Sequence, residues 1–140
     1  MLEEKAAKYY SKTDVERNCS EAVVYGANEE FELHLSDDVL RAMGPFGGGM
    51  RIESVCGAIT GALAVIGVLY NRDTPLARAR MKERTETFLT CFRQRYDCLD
   101  CKGLKEKFRD EDRKCEEVVR ISARLLQELV EIWTGQIPHG

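Results

Sequence analysis

Six cysteines, at positions 19, 56, 91, 98, 101 and 115, are the residues of this 140-residue chain best able to do chemistry. A thiolate is both nucleophile and metal ligand, and its surroundings decide how readily it forms. Four of the six share a context. Cys19 follows Asn18, a good N-cap, with Glu21 placed to complete a capping box. Cys56 comes two residues after Ser54, just ahead of an uncharged run. Cys101 follows Asp100, and Cys115 lies three residues after Asp112. This spacing predicts that each of the four sits in the first turn of a helix. Free backbone N–H groups and the helix dipole favour negative charge there. Four thiolates around one centre repel one another, and helix N-termini aimed inward would offset part of that repulsion.

Other readings of the same residues stand beside this one. Cysteine is among the most buried residue types and often fills space in a core. Cys19 aligns with Ala22, Val23 and Gly26, and Cys115 lies near an apolar stripe. Cys91, close to Phe88 and Phe92 inside a long helix, reads as core. Cys98-x-x-Cys101 has a spacing that suits zinc or a dithiol. Lys102 follows it where a haem attachment site needs histidine. Gly57, Gly61 and Ala64 put small residues along one face, as close helix packing requires. Gly57 also leaves room beside Cys56 for a bulky inorganic centre to approach the backbone. The two histidines, His34 and His139, form no Ser/His/Asp arrangement, and Gly47-Gly48-Gly49 lacks the Lys-Ser/Thr of a phosphate loop. The run from Lys105 to Lys114 mixes charge signs and reads as solvated surface.

Apolar residues recur at helical spacing, and the expected fold class is all-α: a single-domain helical bundle over residues 1–140 with a buried central helix. Five main helices are expected: about 2–12, from after Asn18 to near Glu30, about 55–70, from after Thr74-Pro75 to near Tyr96, and about 113–133. Short helices are expected near 36–43 and within 97–109. Gly44-Pro45-Phe46-Gly47-Gly48-Gly49-Met50 is a clear breaker. The last helix carries the stripe Val118, Ser122, Leu125, Leu126, Leu129 and Trp133, and residues 134–140 read as a frayed tail.

Bulk properties narrow the function classes. A domain of this length can bury roughly two-thirds of its unfolded surface, so it does not need disulfides in order to fold. The net charge of −3 argues against nucleic acid as a partner. Residues 55–70 are uncharged but too short for the ~20 residues that span a bilayer, so no membrane insertion is expected. The charged opening Met1-Leu2-Glu3-Glu4-Lys5 does not resemble a signal peptide, and a cytoplasmic location is the expectation. Cysteines in a reducing compartment more often serve metal or redox chemistry than structural bridges.

Asn18-Cys19-Ser20-Glu21-Ala22, Gly47-Gly48-Gly49-Met50, Cys56-Gly57-Ala58-Ile59-Thr60-Gly61, Cys101 and Cys115 together resemble the small redox-active family named C_GCAxxG_C_C. The resemblance spans about residues 5–133. Its four cysteines match Cys19, Cys56, Cys101 and Cys115, leaving Cys91 and Cys98 outside the pattern. A related cysteine-rich domain occurs in split-Soret cytochrome c, where such cysteines accompany an iron–sulfur cluster beside haem segments. The haem half does not carry over, because Cys-x-x-Cys-His is missing here. The expectation is therefore a redox protein whose Cys19, Cys56, Cys101 and Cys115 ligate an iron–sulfur cluster, [2Fe–2S] first, with Gly57 beside it, for electron transfer or sensing. The alternatives are a metal-free thiol–disulfide protein, a zinc domain using Cys91, Cys98, Cys101 and Cys115, and a helical interaction module with cysteines in its core. A redox partner protein is expected, and a homodimer is allowed.

Overall fold

Local signals set most of the helix ends. A computed structural model describes residues 1–11 and 15–136, and among these residues it contains seven α-helices and no strand. They are α1 (Leu2–Ser11), α2 (Cys19–Glu30), α3 (Asp37–Ala42), α4 (Gly57–Tyr70), α5 (Pro75–Tyr96), α6 (Cys101–Phe108) and α7 (Glu116–Gln136). Asn18 caps α2 in a complete capping box: its side chain accepts the Glu21 N–H at 3.0 Å, and the Glu21 carboxylate accepts the Asn18 N–H at 3.1 Å. Ser36, Thr74 and Asp100 accept in the same way at the starts of α3, α5 and α6, satisfying N–H groups that have no helical partner.

The uncharged α4 lies at the centre, as its composition predicts. Ala58, Ile59, Ala62, Val65 and Ile66 are all fully buried. α4 packs against α2, α5 and α7, and α1 lies along α2 and α7. Gly61 lets α4 approach α2 closely, since a Cβ there would come 2.7 Å from the Ser20 carbonyl oxygen. Ser122 on α7 donates its hydroxyl proton to the Ala58 carbonyl at 2.8 Å, satisfying one buried polar group within the apolar interface. The α7 stripe from Val118 to Trp133 is buried throughout, as expected. No helix among the described residues is long and apolar enough to cross a membrane.

Three boundaries differ from the sequence reading. α4 begins at Gly57, because Cys56 is extended at φ −57°, ψ 136° and acts as the N-cap. α7 begins at Glu116 rather than near Arg113. Asp110 and Lys114 exchange backbone hydrogen bonds of 3.1 and 2.9 Å, which close residues 110–114 into a turn and keep them out of the helix. α7 also continues through Gln136, so Thr134 and Gly135 are helical and not frayed; residues 137–140 of the expected tail lie outside the described residues.

Candidate redox site

The four cysteines of the sequence pattern come from four elements and line one pocket of about 670 Å³. Cys19 opens α2. The Asn18 amide beside it donates to the Gly44 carbonyl at 2.8 Å, tying the start of α2 to the turn before α4. Cys56 and Cys101 are brought together by one antiparallel bridge between Val55 and Asp100. Its bonds run from the Cys56 N–H to the Leu99 carbonyl (2.9 Å) and from the Cys101 N–H to the Ser54 carbonyl (2.6 Å). Cys115 lies just before α7, and its N–H donates to the Tyr10 hydroxyl at 3.1 Å, so α1 fixes its place.

The loop over the pocket is unusual in its backbone. Gly48, Gly49, Met50 and Arg51 all have positive φ, from 59° to 68°. That region costs a residue with a Cβ about 1–2 kcal/mol, so Met50 and Arg51 are held there by their surroundings. A Cβ on Gly49 would come 2.5 Å from the Ser54 nitrogen and 2.7 Å from the Cys101 Cβ, so no larger residue fits between the loop and α6. The turn delivers the Gly48 N–H to Cys19 and the Arg51 side chain to the pocket wall.

The four thiols are not equivalent. Cys19 Sγ lies in the space that Gly57 leaves beside Cys56. The Cys56 thiol, opposed by burial and helped by the backbone N–H groups of Gly48, Ser20 and Cys19 itself, lowers the Cys19 thiol to about 6. Cys19 in turn, together with burial, pushes Cys56 well above the ordinary thiol value, against the pull of the Ala58 and Ile59 N–H groups. Burial raises Cys101, with Lys105 pulling the other way. Burial and the nearby Cys19 raise Cys115, against Arg109, Lys105 and a hydrogen bond from Tyr10. Burial also pushes the Tyr10 hydroxyl up to about 12, so it stays protonated and can serve as that donor.

These findings revise the sequence argument at several points. Helix-start positions were expected to favour the thiolate at all four cysteines, yet only Cys19 is lowered. Cys19 and Cys101 each occupy the first residue of a helix, while Cys56 and Cys115 stand one position earlier. Gly57 does leave room beside Cys56, but a thiol takes it: a Cβ there would come 2.5 Å from Cys19 Sγ. Cys91 and Cys98 are half-buried and are not among the residues lining this pocket, and the alternative set of Cys91, Cys98, Cys101 and Cys115 forms no metal-holding group among the described residues. His34 is exposed.

Sequence reasoning missed Tyr10 and the pocket's cations. Arg109 and Lys114 are exposed, as the solvated-surface reading expects, and with Lys105, Arg17 and Arg51 they also line the cavity. The signal was present as positive charge flanking Cys101 and Cys115, but the turn that folds it over the thiols was not legible.

The donor set and the room suit an iron–sulfur cluster, for which four cysteine thiolates are the usual ligands. Among the described residues, no group of three or more His, Cys, Asp or Glu side chains is placed to hold a single metal ion. No curated protein and no solved structure matches the chain. Over residues 17–129, which include all four pocket cysteines, the chain matches the family described as "Putative redox-active protein (C_GCAxxG_C_C)". The chain belongs to the C_GCAxxG_C_C family of redox-active proteins.

Proposed function

We propose that the protein is a thiol–disulfide redox protein in which Cys19 is the attacking thiolate and Cys56 the resolving thiol. The observation that carries this reading is that Cys19 and Cys56 stand together on the pocket wall, with Cys19 Sγ in the space that Gly57 leaves beside Cys56, and that the Cys19 thiol is lowered while Cys56 is raised. Cys19 attacks a disulfide substrate, forms a mixed disulfide and releases the first thiolate. The Cys56 sulfur then attacks Cys19 Sγ and releases the second, and its proton ends on a released thiol. The protein is oxidised to a Cys19–Cys56 disulfide, and the substrate is reduced to two thiols. Tyr10 positions Cys115 through its backbone N–H, and Gly57 clears the space that lets Cys19 reach Cys56.

A second reading makes Cys19, Cys56, Cys101 and Cys115 ligands of an iron–sulfur cluster. The shared pocket favours it, since a two-thiol mechanism leaves Cys101 and Cys115 without a part. When bound, the cluster would supply one-electron chemistry at this place.

Single Cys→Ser variants separate the two. Under argon, the thiol reading expects colourless protein with a two-electron couple that Cys19→Ser and Cys56→Ser abolish and Cys101→Ser and Cys115→Ser retain. Brown protein containing iron and sulfide, whose colour each of the four replacements removes, would establish the cluster instead.

A further inference from the structure

The charges around the thiols point to the kind of disulfide that enters. Five cationic side chains, Arg17, Arg51, Lys105, Arg109 and Lys114, line the pocket with one carboxylate, Glu16, although the whole chain carries a net charge of −3. Two of the cations are occupied. Lys105 pairs with Glu53 at 3.4 Å, and Arg17 stacks over the rings of Tyr25 and Tyr9 at 4.2 and 5.7 Å. Arg51, Arg109 and Lys114 make no ion pair with any described residue. Asp110 and Glu111 lie in the adjoining groove with Lys105, Arg109 and Lys114, but the Asp110 carboxylate is engaged with the N–H and guanidinium of Arg113 at 2.5 and 3.6 Å.

Arg51 comes from a different element and is held at φ 68° on the pocket wall. The unpaired cations thus arrive from two separate segments, the turn before α4 and the segment before α7. A pocket of about 670 Å³ has the size of a small-molecule site and not of a protein interface.

We propose that the substrate of the pocket is a small anionic disulfide, carrying carboxylates on its two halves, held by Arg51, Arg109 and Lys114 while its sulfur meets Cys19. This rests on the Cys19–Cys56 reading and adds the substrate class. The chemistry balances as above: the substrate's S–S bond breaks, the Cys19–Cys56 bond forms, and the carboxylates take no part in electron transfer. Opposed charge raises the local concentration of such a substrate, and salt screens the effect.

The test measures the oxidation rate of the reduced protein by three disulfides: dithiodipropionate (anionic), hydroxyethyl disulfide (neutral) and cystamine (cationic). Each rate is divided by that of a small free thiol with the same reagent, which removes differences in leaving group. The expected order is anionic, then neutral, then cationic, with roughly tenfold or more between the extremes at low salt, shrinking as salt is added. Arg109→Gln/Lys114→Gln, checked for helical content by circular dichroism, should bring the anionic and neutral values together. Equal relative rates for all three reagents would overturn the anionic assignment and leave the Cys19–Cys56 reading standing. Failure of every reagent to form a Cys19–Cys56 disulfide would overturn both.

Discussion

Cys19 and Cys101 occupy the same kind of position. Each is the first residue of a helix, each follows a side-chain cap, and both line one pocket. Yet the Cys19 thiol is lowered to about 6 while burial raises that of Cys101. The difference lies in what faces the sulfur. Cys19 faces the Cys56 thiol at the N-cap of α4 and an N–H from the left-handed turn, in addition to the N–H groups at its own helix start. Cys101 has the pull of Lys105 to set against its burial, and no such set of donors. A helix start alone therefore does not make a thiolate. Donors converging from other elements do, because only they stabilise the charge once water has been removed.

The comparison breaks most readily at Gly57. Gly57→Ala places a Cβ 2.5 Å from Cys19 Sγ and 2.8 Å from the Phe46 carbonyl oxygen, so the Cys19 side chain must leave its present position. The expected result is a loss of about 1–3 kcal/mol of stability in urea, with the Cys19 pKa rising toward the ordinary thiol value. Gly67→Ala on the same helix is the control. A Cβ there meets nothing within 4 Å, and the change should stabilise the protein by roughly 0.5–1 kcal/mol. Equal effects at the two glycines would remove the packing argument.

A smaller effect is expected on the other wall. Tyr10→Phe removes the acceptor of the Cys115 N–H and the donor to its sulfur. Stability should fall by about 1 kcal/mol, and the Cys115 pKa should rise further, while Cys19 keeps its own donors. Site-resolved thiol titration by mass spectrometry reads both cysteines in one sample. A Cys19 pKa that moves as far as that of Cys115 would mean that the two walls are not independent.

The helices were legible because their signals are local. Asn18 with Glu21, Thr74 with Pro75, and the uncharged residues 55–70 each declare an element within a few positions. The grouping of Cys19, Cys56, Cys101 and Cys115 was legible too, through their shared context and through the family resemblance. What escaped depends on contacts between distant segments. Three consecutive glycines announce conformational freedom, but nothing in them says that Met50 and Arg51 will also turn left-handed. The Ser54 N–H bond to the Gly49 carbonyl closes that turn, and the Val55–Asp100 bridge sets where the following segment lies. The mixed charges from Lys105 to Lys114 look like solvated surface until the Asp110–Lys114 bridge folds them beside Cys115. The inequality of the four thiols escaped for the same reason, since the donors that single out Cys19 lie 29 and 37 positions along the chain, at Gly48 and Cys56.

The central claim is that Cys19 is the thiolate of the pocket, and the pH profile of its alkylation tests that most directly. Reduced protein, treated with a chelator and kept under argon, is pulsed with iodoacetamide from pH 4.5 to 10, and the label on each cysteine is read by mass spectrometry. Alkylation consumes the thiolate, so the rate at each site rises with pH through that site's pKa. Labelling of Cys19 should rise with a midpoint near 6, while Cys101 and Cys115 rise only above the ordinary thiol value. A Cys19 profile that rises together with Cys101, at or above the ordinary thiol value, would contradict the account.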